Sequence, residues 1–310
     1  MIRYIENENI DRDAWDSAVA CCETPLIYAM SWYLDIVAPG WCGFVEDDYS
    51  HVMPLVHRKK SGFQYLYQPP FSQQLGVFGQ HVSADTVKAF LQATGQRFRF
   101  TEIMLNESNT TDISGIEKYT NIVLPLNRNI EEIRSGYNEN TRRNIRKAAQ
   151  NNVILHKGFD IENIATLFKQ NKGEAFGKKD SWYSVLKTLA YQMRHLGLAA
   201  TYSALNNHNE IIAGILTLEF NGRVVLLFSG SGPEARETGA MHFLIDSILE
   251  EKCLSAHTFD FEGSNNENLA RFYMGFGGTK KDYPFVRINH LPLCVRWMKK
   301  KGINNMQISD

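Results

Sequence analysis

Residues that could do chemistry concentrate in three stretches of this sequence. The first is Ser229-Gly230-Ser231-Gly232-Pro-Glu-Ala-Arg236-Glu-Thr-Gly239-Ala240, a small-residue segment between an apolar run and an amphipathic one. Met241, Leu244, Ile245, Ile248 and Leu249 recur at helical spacing, so a helix starts near Ala240. Backbone N–H groups at a helix N-terminus, reached through a loop of small residues, suit a phosphate, and Arg236 can add a charge-assisted bond. A flexible loop capped by Thr238 or Gly239 accounts for the same residues. The second stretch runs from Thr141 to Gln150. At about 100° per residue, Arg142, Arg143, Arg146 and Lys147 gather on one side of a helix, with Ile145, Ala148 and Ala149 opposite. Asn140 or Thr141 can cap it. Its cationic face suits a phosphorylated acceptor, such as a nucleotide-linked or lipid-linked sugar, or tRNA; a solvated surface helix has the same composition. The third stretch alternates as a strand over Thr258-Phe-Asp-Phe-Glu262 and turns at Gly263-Ser264. It then opens a short helix that carries Asn268 and Tyr273. Glu262 ends its strand, where sites in open α/β sheets lie. Glu219 stands on the strand before Asn221-Gly222.

The elements that must position these residues occur twice. Residues 44–78 read strand, turn at Asp47-Asp48, strand over Val52 to His57, turn at Ser61-Gly62, strand over Phe63 to Tyr67, then the loop Gln68-Pro-Pro. Residues 202–232 repeat this with a turn at Asn206-Asn207-His208, a strand over Ile211 to Phe220, the hairpin signal Asn221-Gly222, a return strand over Arg223 to Phe228 and the loop from Ser229. Both pairs of turns are offset by 160 residues, and each half continues into a helix and a strand. These are Ala84 to Ala93 with Phe98 to Leu105, and Ala240 to Glu251 with Thr258 to Glu262. Ser-Trp-Tyr also occurs twice, at Ser31 and Ser181. The pattern predicts an α/β fold with mixed sheets rather than strictly alternating βαβ units. The boundary falls after Leu124-Pro125-Leu126, giving domains 1–126 and 127–310, and a helix over Leu293 to Lys301 is expected to return to the first.

The motifs resemble those of a known superfamily. Arg236-Glu-Thr-Gly239-Ala240 looks like the Q/R-x-x-G-x-G/A signature of the GNAT N-acetyltransferases. The run from Asn268 through Ala270, Phe272, Tyr273 and Phe276 is similar to their N-x-x-A-x-x-F-Y-x-x-x-G-F region, with one residue fewer before the final aromatic. In layout the chain resembles the FemABX branch, which carries two GNAT-like domains in tandem. Asp260-Phe-Glu-Gly263 and the segment Tyr137 to Lys147 also look like that branch. The resemblance implies two tandem acyl-CoA N-acyltransferase domains. Ser229, Gly230, Ser231, Gly232, Arg236, Gly239 and Ala240 would hold the donor pyrophosphate, and Asn268 the pantetheine arm or its own helix cap. Tyr273 would protonate the leaving thiolate, since a phenol of pKa about 10 can supply a thiol of about 8.5. Glu262 or Glu219 would take the proton of the acceptor amine. Residues 142, 143, 146 and 147 would meet the acceptor. Packing explains Tyr273 beside Phe272 and Phe276, and solvation explains the carboxylates. Gln68-Pro-Pro-Phe-Ser-Gln-Gln-Leu75 stands at the first half's donor loop and lacks the glycines, so that half is expected to bind no donor and to shape the acceptor cleft.

Acetyl-CoA or another acyl-CoA is the expected co-substrate, and a small amine or a cell-wall precursor the acceptor. The FemABX alternative replaces CoA by aminoacyl-tRNA acting on a peptidoglycan precursor. A third possibility is a non-catalytic binding protein on the same scaffold. Composition narrows the remaining classes. Lys+Arg number 33 against Asp+Glu 34, a net charge of −1, so there is no global field for DNA. No GxGxxG follows a strand and no GxxxxGK[ST] occurs, so nicotinamide, flavin and nucleotide-triphosphate readings lose most of their support. The five cysteines form no CxxC pair and no zinc spacing, so reduced thiols, no metal and a cytoplasmic setting are expected. No apolar run approaches the roughly 20 residues of a membrane helix, and the N-terminus is not a signal peptide.

Overall fold

The computed structural model describes residues 1–60, 62–110, 116–173, 177–263 and 265–292. The helix expected over Leu293 to Lys301, and Ser61 and Ser264 of two expected turns, lie outside them. The chain divides into two compact units, Met1–Thr120 with the segment from Asp282 onward, and Asn121–Lys281.

The first unit is built from β1 (Ile2–Ile5), α1 (Arg12–Ala20), α2 (Ser31–Val37), β2 (Cys42–Glu46), β3 (His51–Leu55), β4 (His57–Lys60), β5 (Phe63–Leu66), β6 (Phe78–Gly79), α3 (Ala84–Arg97) and β7 (Phe100–Met104). One antiparallel sheet has the order β1-β2-β3-β6. The expected strand Val52 to His57 is two strands, because the chain changes sheets at Val56. Beyond it β4 pairs antiparallel with β5, and β5 pairs parallel with β7, Tyr65 opposite Phe100. Ser83 caps α3 by accepting from the Thr86 N–H. The helix lays Val87, Phe90 and Leu91 onto Phe44, Met53, Leu66 and Ile103.

The second unit follows through β8 (Glu117–Pro125), α4 (Ile130–Ser135), α5 (Glu139–Gln150), β9 (Ile154–His156), α6 (Ile161–Phe168), α7 (Asp180–His195), β10 (Ala199–Leu205), β11 (Ile211–Phe220), β12 (Arg223–Ser231), α8 (Pro233–Thr238), α9 (Ala240–Lys252), β13 (Thr258–Asp260) and α10 (Glu267–Met274), and β14 (Thr279–Asn289) then rejoins the first unit from Asp282. The strands of the second unit lie in the order β8-β13-β12-β11-β10-β9. Asn221 and Gly222 both take positive φ, 47° and 71°, as the tight hairpin between β11 and β12 requires. The apolar face expected of α9 is the buried one: Leu244, Ile245, Ile248 and Leu249 pack with Ile215, Val224 and Phe259. On the other side of the sheet α6 rests on two glycines, Gly214 and its cross-strand partner Gly230. β12 and β13 are parallel, Arg223 opposite Thr258. That pair and Tyr65–Phe100 both join residues 35 apart in sequence, so the crossover repeats in each unit. Among the described residues no helix is long and apolar enough to cross a membrane.

Candidate functional site

β12 and β13 run side by side only from Arg223/Thr258 to Val225/Asp260. Beyond that point β12 continues to Ser231 against β11 alone, and its pairing slips by one residue at Leu227. The chain after β13 turns away through Phe261, Glu262 and Gly263 into α10. The second unit therefore opens between two parallel strands at their carboxyl ends, where ligands of open α/β sheets bind.

Asp260 anchors this opening. It is 1% exposed. Its Oδ2 accepts from Arg223 Nε at 2.8 Å and Nη2 at 2.7 Å. Its Oδ1 accepts from Asn121 Nδ2 at 2.9 Å and from the Glu262 N–H at 2.8 Å. The last bond holds Glu262 at φ 56°, a left-handed backbone that a residue of this type rarely adopts. Glu262 is half-buried. The Phe261 ring, next to it in sequence, stacks on Tyr273 at 4.8 Å. Tyr273 sits in the last turn of α10 and is buried, in contact with Phe272 as well. Glu262 thus adjoins in sequence the ring that stacks on Tyr273.

Glu219 is elsewhere. It pairs with Lys252 at 2.8 Å, at the opposite end of α9 from Gly239, and the structure does not bring it to Glu262. Asn268 is exposed on α10, and the cap of that helix is Asn266, which accepts from the N–H groups of Asn268 and Leu269.

The small-residue segment differs from the expected loop. Ser229, Gly230 and Ser231 are strand, opposite Ile215, Gly214 and Ala213. Gly230 has no room for a side chain, because the Ile164 carbonyl of α6 occupies the space. Gly232 precedes α8, which has Pro233 in its first turn, and Arg236 is exposed on that helix. Gly239 is the left-handed junction between α8 and α9, at φ 77°. The space beside it is filled by the Asn144 carbonyl of α5, and Gly239 and Ala240 are both buried. The Asn144 carbonyl thus packs against the Gly239 Cα at the start of α9, and no side chain caps that helix.

The basic helix α5 is capped by Asn138 rather than by Asn140 or Thr141, with the Asn138 side chain accepting from the Thr141 N–H. Arg142 donates to the carbonyls of Arg134, Ser135 and Tyr137, so it closes the end of α4. Arg143 donates to Asn140 Oδ1 at 2.7 Å. Arg146 and Lys147 are exposed, and neither side chain takes part in a hydrogen bond or ion pair among the described residues.

Sequence reasoning missed His242. It lies in the first turn of α9, its ring 4.8 Å from Phe272 and 5.8 Å from Phe276. Its Nε2 is buried without a hydrogen-bond partner among the described residues. Burial pushes its pKa down to about 4, which keeps the ring neutral. A histidine in the first turn of an otherwise apolar helix was the available signal.

No protein-family model matches the chain, and no curated protein matches it. Solved structures do. A FemX crystal structure is similar at TM-score 0.65 and 11% identity, covering 96% of this chain and 99% of that one. The C-terminal domain of a putative lysylphosphatidylglycerol synthetase from Agrobacterium fabrum is similar at 0.56 and 10%, covering 96% of each. A tandem GNAT protein from the clavulanic acid biosynthesis pathway is similar at 0.55 and 11%, covering 94% and 99%. The chain has the tandem GNAT-like fold, with mixed sheets and FemABX-like structural relatives.

Proposed function

We propose that this chain is an N-acyltransferase of the FemABX-like kind, which passes an aminoacyl group from aminoacyl-tRNA to the amine of a cell-wall precursor in the cytoplasm. The acyltransferase kind is supported by the fold and by the opening between β12 and β13. The choice of donor is supported by one observation, the close packing of the Asn144 carbonyl on Gly239 with Ala240 buried, which narrows the space beside the start of α9. A CoA pyrophosphate needs free N–H groups there. An aminoacyl ester needs no such site. In the proposed reaction the Glu262 carboxylate takes a proton from the acceptor ammonium, and the amine nitrogen attacks the ester carbonyl. The C–O bond to the terminal ribose breaks, Tyr273 gives its phenolic proton to the departing oxygen, and the second proton shed by the attacking nitrogen as the amide forms restores the Tyr273 phenol. General acid–base roles of this sort contribute about 10²- to 10⁴-fold each.

The acyl-CoA reading keeps one supporting observation, exposed Arg236 on α8, the helix that follows β12. Two assays separate the donors. Transfer from charged tRNA to a muropeptide, with no calorimetric signal from CoA or acetyl-CoA, is the expected result. Micromolar CoA binding that Arg236→Ala weakens would overturn the tRNA reading and restore the CoA one.

A further inference from the structure

Between Tyr49 and Thr101 the sequence holds six Lys and Arg against a single carboxylate, Asp85, in a chain whose net charge is −1. Four of the six, Arg58, Lys59, Lys60 and Arg99, are exposed around one end of the β4–β5 hairpin of the first unit. We infer that this hairpin end is a contact site for an anionic membrane surface. The inference goes beyond the proposed acyl transfer and does not depend on it.

β4 is an edge strand, paired with β5 alone: Arg58 lies opposite Tyr65, Lys59 opposite Gln64 and Lys60 opposite Phe63. β5 runs parallel to β7 with Tyr65 opposite Phe100, so one residue back Arg99 comes beside Gln64. Successive strand residues point to opposite faces. Arg58 and Lys60 therefore leave one face, and Lys59 and Arg99 the other. None of the four makes an ion pair among the described residues. The carboxylates near them are already engaged. Glu102 on β7 pairs with Arg287 at 2.9 Å. Glu6 accepts from the Tyr4 hydroxyl at 3.1 Å and the Cys42 thiol at 3.2 Å, with Arg97 at 3.9 Å. Lysines on an edge strand also guard it against pairing with another chain. That role does not reach Arg99, which lies off the edge strand, nor does it require the lack of carboxylates.

The placement of the charges selects the partner. A protein that follows a nucleic-acid strand lines one groove with cations and offers open aromatic faces to the bases. Here the cations leave both faces of a two-stranded ribbon. The Arg58 guanidinium already lies over the Tyr67 ring at 4.7 Å, and Tyr67 is 9% exposed, so no base can stack there. A ribbon charged on both faces meets a flat anionic surface by its end. Phe63, half-buried opposite Lys60, supplies an aromatic ring at that end, as residues at a membrane–water interface do. Four clustered cations suffice for such a contact.

The test is sedimentation of the full chain with vesicles of phosphatidylcholine, with and without phosphatidylglycerol. Binding to the anionic vesicles alone is expected, and it should vanish at about 1 M salt, where the screening length falls to about 3 Å. The double variant Lys59→Gln/Lys60→Gln should weaken it about thirtyfold, at about fivefold for each cation removed from an anionic surface. Lys118→Gln/Lys280→Gln changes the net charge equally, on β8 and β14, and should leave binding within about twofold. Equal binding to both kinds of vesicle, no binding to either, or an equal loss in the two double variants overturns the contact. A single-stranded RNA oligonucleotide that binds without any vesicle binding, and is lost in Lys59→Gln/Lys60→Gln, also overturns it and assigns the hairpin to nucleic acid. Acyl transfer without vesicle binding would strike this inference alone; vesicle binding without transfer would strike only the proposed reaction.

Discussion

Replacing Asp260 by alanine leaves the Arg223 guanidinium in the interior with its carboxylate gone. The Arg223 side chain is 11% exposed and Asp260 1%, so water replaces little of the lost partner. Breaking such a pair from one side costs about 3–5 kcal/mol, and the slight exposure of Arg223 places the expected cost near the lower end, at about 3 kcal/mol. Arg223→Leu alone should cost a similar amount, because it strands the carboxylate. The double variant removes both charges and should cost far less than the two singles together, a coupling of about 2–3 kcal/mol. Native-state amide exchange, followed by mass spectrometry on peptides spanning residues 223–231 and 258–263, reads this locally. At tenfold per 1.4 kcal/mol, the single variants should speed exchange there by about a hundredfold. Additive singles, or a cost below about 1 kcal/mol for Asp260→Ala, would refute the claim that this ion pair organises the end of β13 and the backbone of Glu262.

Tyr273→Phe keeps the ring on Phe261 and should change stability by less than about 1 kcal/mol while lowering kcat about a hundredfold or more; equal kcat would remove Tyr273 from the reaction. Gly230→Ala should destabilise by about 3 kcal/mol because its new Cβ meets the Ile164 carbonyl. Gly214→Ala meets only the Ile164 side chain and should cost about 1 kcal/mol, the order being checked by urea midpoints. His242 ties stability to pH. Its folded pKa of about 4 lies below the unfolded value of about 6.5, so the unfolded chain takes up the proton first as pH falls. Its contribution is complete above about pH 6.5 and is lost toward pH 4, by about 2 kcal/mol once the ring's partial exposure is allowed for. His242→Phe should flatten that slope, and an unchanged slope would point to other groups.

Periodic segments were readable from the sequence, and changes of environment were not. The apolar stripe of α9 and the Asn221-Gly222 hairpin declare themselves because one face or one turn dictates residue type. Val52 to Val56 is apolar throughout and buried on both sides, so no polar residue marks where the chain leaves one sheet for the other. Ser229 to Ser231 read as a loop because glycine and serine are weak strand formers; Gly230 is glycine to admit α6, a reason that lies in tertiary packing. α8 did carry its own signal, proline in its first turn and Gly239 just past its end, but the small residues around it pointed to a phosphate loop. At the proposed site, Glu262 was singled out by its place at a strand end and Tyr273 by resemblance. The Asp260–Arg223 pair was not, because its members are 37 residues apart in sequence. Nothing in a linear pattern distinguishes Glu219, ion-paired at the far end of α9, from Glu262.

Synthesis order gives the division of the chain a further meaning. The first unit's β7 pairs on one edge with β5, already made, and on the other with the Phe285–Asn289 end of β14. That second partner emerges from the ribosome only after the entire second unit. During this interval Phe100–Met104 has one edge of unsatisfied backbone groups, an invitation to pair with another chain. The second unit, Asn121–Lys281, is continuous and can complete its sheet first. The nascent protein is therefore most vulnerable to aggregation in its first third, and it stays so until its last described strand arrives.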